Sequence, residues 1–68
     1  MAWRIDKDGV LTQFDEKTMR IVQIDYLRGD IVRFSRRKFA DEAAAAIAFA
    51  RQTVAFDFWP PLVRRKTD

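Results

Sequence analysis

Apolar and polar residues alternate with a period of two over two stretches of the chain, after which the period changes. In WRIDKDGVLTQF, residues 3–14, the alternation flanks Asp8-Gly9 and predicts a β-hairpin, because Asp-Gly supplies the two positive-φ positions of a type I′ turn. That turn sets Trp3 opposite Phe14 and Ile5 opposite Thr12, with Arg4 and Gln13 on the other face. The polar run Asp15-Glu16-Lys17 ends the strand. A second hairpin reads as TMRIVQIDYL, RGD and IVRFSRRKF. A three-residue loop centred on Gly29 sets Tyr26 opposite Val32 and Ile24 opposite Phe34 on one face, while Asp25 meets Arg33 and Gln23 meets Ser35 on the other. A two-residue Arg28-Gly29 loop would pair Ile24 with Arg33 and split the apolar set across both faces.

Beyond Phe39 the texture becomes helical. Asp41 is placed to cap a helix whose first turn carries Glu42, and the alanines that follow have the best helix propensity available. Ile47, Ala50, Val54 and Phe58 recur at spacings of three or four and define the expected core stripe, with Ile47 and Val54 against Ile24 and Phe34. Pro60 and Pro61 forbid continuation. The pattern predicts an α+β fold, an antiparallel sheet of three to four strands packed on one C-terminal α-helix. Residues 1–60 form a single compact β-β-β(-β)-α domain, and residues 61–68 form a basic tail.

A chain of 68 residues that is 49% hydrophobic, with six Phe, two Trp and one Tyr, has the material for a core. A domain this small buries only ~60% of its unfolded surface, so its stability needs a supplement. Cysteine and histidine are both absent, which removes disulfides and the usual structural zinc sites, and leaves oligomerisation as the expected supplement. The charged N-terminus MAWRIDKDG lacks an apolar h-region, and no run has the length of a membrane span. A soluble, cytoplasmic protein is expected.

Without His or Cys, the common general base and the strongest nucleophile are missing, and the single serine, Ser35, has no partner base. Asp6 and Asp8 lack the remaining ligands of a calcium loop. With two glycines in separate turns there is no phosphate-binding loop. The expectation is therefore a non-enzymatic binding module with no cofactor and no metal site.

The net charge is only +3, but its placement is uneven. Arg33, Arg36, Arg37 and Lys38 lie within six residues, and Arg64, Arg65 and Lys66 form a second cluster. On the alternating strand, Arg33, Ser35 and Arg37 share a face, and the preceding strand adds Gln23 and Arg20 near the same edge. A ribbon of this kind fits a major groove, where Arg and Gln read base edges while flanking cations such as Lys38 hold phosphates.

The run IVRFSRRKFADEAAAAIAFARQ resembles, at the level of topology, the last strand and helix of the AP2-type fold of integrase arm-binding domains. There a basic strand leads through a Phe into an acidic, Ala-rich helix. The resemblance covers about a third of the chain. It implies a three-stranded sheet backed by the helix, with Gln23, Arg33, Ser35 and Arg37 presented to duplex DNA. Small size and the lack of a catalytic set would, by analogy, suit a phage or mobile-element accessory protein.

A second reading comes from apolar side chains outside the expected core. Met19 and Ile21, with Leu27 and Ile31, form an apolar row on the supposed DNA face, and Phe56, Phe58 and Trp59 form an aromatic run before the prolines. These residues would mark a protein interface, as in a homodimeric inhibitor or adaptor of a larger complex.

Overall fold

The computed structural model describes residues 2–5 and 8–59. The expected basic tail, residues 61–68, lies outside them. The fold is α+β, a five-stranded antiparallel sheet with strand order β1-β2-β3-β4-β5. The strands are β1 (Ala2–Ile5), β2 (Val10–Asp15), β3 (Arg20–Asp25), β4 (Ile31–Ser35) and β5 (Phe56–Phe58), and one helix, α1 (Glu42–Ala50), lies between the last two. The helix is therefore not the last element, and the sheet has one strand more than its pattern predicted.

The first hairpin is not paired in the register of a two-residue Asp8-Gly9 turn, which would set Ile5 opposite Thr12. Gly9 has φ 77°. Ile5 faces Leu11 and Arg4 faces Thr12, with a bulge before Ala2 meets Gln13. Trp3 sits at that bulge, and its side chain still reaches the core beside Phe14.

In the second hairpin the strands are paired two residues away from the expected register. Gln23 faces Arg33 and Val22 faces Phe34, and a bulge then brings Ile24 opposite Ile31. Asp25, expected opposite Arg33, instead begins the loop: its Oδ1 accepts the N–H groups of Leu27 and Arg28, and its carbonyl accepts that of Gly29. A shift of two preserves face membership in a period-two strand, so Gln23, Arg33 and Ser35 still share one face while Ile24 and Phe34 share the other.

The helix covers the face opposite to the one its stripe predicted. Phe14, Ile21, Phe39, Ala45 and Ala48 form the buried cluster, with Trp3, Met19, Phe49, Val54 and Phe56 packed on it. Ala45 and Ala48 end at Cβ, which lets the helix lie close to the large side chains of β2 and β3. Ile47, expected at the centre of the core, is 53% exposed. Asp41 caps the helix as its position suggested, its Oδ1 accepting the Ala44 N–H at 2.9 Å. Glu42 adds a tie to β1, its Oε2 accepting from Trp3 Nε1 at 3.2 Å.

The helix stops at Ala50 rather than continuing towards Phe58. Gln52 adopts φ 57° and donates its N–H to Phe49 O, while Thr53 donates to Ala48 O. This is a Schellman C-cap with Gln at the left-handed position that glycine favours. A side chain there costs ~1 kcal/mol or more in backbone strain. Gln52→Gly is therefore expected to stabilise the domain by up to ~1 kcal/mol, a rise of roughly 4 to 8 °C in melting temperature for a domain of this size, read by thermal circular dichroism. The same change at Met19, φ 59°, would not help, because its side chain packs on the core.

Candidate binding surfaces

Two faces of the sheet compete as functional surfaces, and the fold treats them differently. On the helix-bearing face the expected DNA-reading residues are largely engaged within the protein. Ser35 is fully buried: its Oγ accepts the Ile21 N–H at 3.1 Å and donates to Arg37 O at 2.7 Å. It repairs the ladder where β4 turns away from β3, and presents nothing to a ligand. Gln23 and Arg33 form a polar row across the strands. Arg33 Nε donates to Gln23 Oε1 at 2.8 Å, and Gln23 Nε2 donates to Thr12 Oγ1 at 3.3 Å.

Arg20 is half-buried and spends its guanidinium on the chain. Its Nη1 donates to the carbonyls of Ser35 and Arg36, both at 2.7 Å, and its Cζ lies 5.6 Å from the Phe34 ring centroid. Arg37 is exposed, with Cζ 4.5 Å from the Phe39 ring centroid. Lys38 is exposed. Arg36 bonds Asp57 Oδ1 at 2.9 Å, an exposed pair that fastens the end of β4 to β5 and adds little stability in water. Arg33, Ser35 and Arg37 thus do not form one exposed basic face.

The expected apolar interface is also redistributed. Ile21 is fully buried, and Met19 and Phe56 pack on the core, so these three belong to the interior. They do so because the helix lies on their face. Phe58 and Trp59 remain exposed, at 71% and 45%.

No helix covers the opposite face. There the ladder sets Leu11 opposite Ile24 and Ile24 opposite Ile31 in one row, and Gln13, Val22, Phe34 and Asp57 in the next. Trp59 closes over this surface, its ring edge-on to Phe34 at 5.3 Å between centroids. Val22, Ile31, Phe34 and Trp59 line a groove of about 320 Å³, bordered by Asp15, Thr18 and Arg20. Sequence reasoning assigned Ile24 and Phe34 to the core under the helix. The signal for an apolar outer face was present in the neighbours Ile21-Val22 and Ile31-Val32: adjacent apolar residues on a strand make both faces apolar, and one short helix covers only one.

Among the described residues, no cluster of three or more acidic side chains is arranged to hold a metal ion, and no helix is long and apolar enough to cross a membrane. No protein-family model, no curated protein and no solved structure matches the chain.

Proposed function

We propose that the chain is a non-enzymatic protein-interaction module whose working surface is the helix-free face of the sheet. The observation that carries this reading is the apolar groove on the sheet face opposite α1, where Val22 is buried at the floor and Ile31, Phe34 and the 45% exposed Trp59 form the accessible lining. A rigid antiparallel sheet holds these side chains in fixed register, and a half-exposed tryptophan set against a phenylalanine has the character of an interface anchor. Arg20 at the rim is held by two carbonyls, so it offers a preorganised positive edge to an acidic border around an apolar partner surface.

The test is affinity capture with the parent chain and with Ile31→Lys, followed by titration of the retained protein in purified form. Trp59→Ala is expected to weaken that complex by ~2 kcal/mol or more, the scale of an interface anchor. Retention of the same protein at equal affinity by all three chains would remove the helix-free face as the surface.

Duplex DNA is the alternative ligand, and the exposed cations Arg36, Arg37 and Lys38 on the β4–α1 connection support it. Anisotropy of a labelled duplex over a salt series separates the two readings. Binding that weakens steeply with salt, depends on these three cations and ignores Ile31→Lys would favour DNA.

A further inference from the structure

From the phase of the β4–β5 ladder, we infer that the free edge of β5 pairs with β5 of a second copy, making a two-fold homodimer with one continuous sheet. Trp59 donates its N–H to Val32 O at 2.9 Å, and Ala55 O accepts the Arg36 N–H at 2.9 Å. Residues two apart on a strand direct their backbone groups to the same side, so Asp57 also faces β4. Phe56 and Phe58 therefore turn their N–H and C=O groups outward. No described strand lies beyond β5. Within Phe56–Phe58 the edge carries no proline, lysine or bulge, and Asp57, its one charge, is paired with Arg36.

The occupant follows from register. Outward-facing residues bond only outward-facing residues, and a two-fold axis through Asp57 is the arrangement that pairs all three strand residues. It sets Phe56 opposite the second copy's Phe58, and the reverse. Both side chains lie on the helix-bearing face. Beside Phe56 is a cleft of about 290 Å³ lined by Phe49, Ala50, Gln52, Val54 and Phe56. Phe58 is 71% exposed in the single chain. In the pair it lies across the edge from Phe56, at that cleft. One chain therefore carries both an aromatic knob and its receptor, at the spacing a two-fold interface requires. On the other face the two Asp57 side chains meet, each accepting from its own Arg36, so two carboxylates and two guanidiniums balance.

This inference does not use the helix-free face, and the experiment keeps the two apart. Sedimentation equilibrium over a dilution series should give the parent twice the 8.0 kDa chain mass. Phe58→Pro deletes an outward N–H that β4 does not use, so the far-ultraviolet spectrum should be retained while the dimer dissociates. Phe58→Lys keeps the backbone and places a charge at the edge. It serves the same purpose should the proline variant lose its fold, and its dissociation constant should rise at least ~10-fold, as for loss of an interface anchor. Ile31→Lys, on the other face, should leave the dimer intact. A parent that stays at single-chain mass overturns the inference, as does a folded Phe58 variant that remains dimeric. A dimer dissolved by Ile31→Lys but untouched at Phe58 would place self-association on the helix-free face instead.

Discussion

Ile21→Ala is expected to lower the unfolding free energy by ~2 to 5 kcal/mol, whereas Ile47→Ala should change it by under ~1 kcal/mol. The two substitutions delete the same atoms, so the difference measures environment alone. Ile21 is wholly enclosed among Phe14, Phe39, Ala45 and Ala48, and its removal leaves a cavity that strands pinned on both sides cannot close. Ile47 is 53% exposed, and the higher helix propensity of alanine offsets part of what it loses. A domain of 68 residues has roughly 3 to 10 kcal/mol in total, at the usual stability per residue, so the first change removes a large part of it. Urea unfolding of the two variants decides it. Equal losses, or the larger loss at Ile47, would mean that the helix packs through the opposite stripe.

That contrast also marks what the sequence made legible. Period-two alternation grouped Gln23, Arg33 and Ser35 on one face of the sheet and Ile24 and Phe34 on the other, and this grouping holds even though the hairpin register is displaced by two. Alternation carries no information about which face the helix will choose. The choice is made by Phe14, Met19, Ile21 and Phe39, residues distant in sequence that converge only when the sheet is assembled, and by Ser35, small enough to be enclosed once its hydroxyl is bonded on both sides. The candidate DNA surface was placed on the face the helix came to cover, and the apolar interface lost Met19 and Ile21 for the same reason. The end of the helix was obscured differently. Val54 and Phe58 are four apart, a spacing that fits a helical stripe, yet Val54 lies in the connection after the helix and Phe58 in β5; the β-branched pair Thr53-Val54 was the cue against a continuing helix.

Phe39→Ala is expected to cost ~3 to 5 kcal/mol, enough to leave much of the chain unfolded at room temperature. Phe39 stands between β4 and α1, where three kinds of contact meet. Its ring fills the cluster with Phe14, Ile21, Ala45 and Ala48, its N–H donates to Met19 O at 2.7 Å, and its ring face carries the Arg37 guanidinium. Without the ring, the helix has no bulky side chain near its start to hold it on the sheet, since Ala45 and Ala48 contribute only methyl groups. Phe39→Leu keeps most of the apolar volume and should retain the fold with a loss of under ~1.5 kcal/mol, the usual limit for swaps that preserve volume. The Arg37 contact adds ~0.5 to 1 kcal/mol at an exposed site, so Arg37→Ala lowers stability as well as charge, and any DNA-binding deficit of that variant has to be read against its melting curve. Proton NMR dispersion together with urea titration of Phe39→Ala, Phe39→Leu and the parent gives the measurement. A well-dispersed Phe39→Ala spectrum with an unshifted urea midpoint would show that the helix is held to the sheet by Trp3, Phe49 and Phe56 without it.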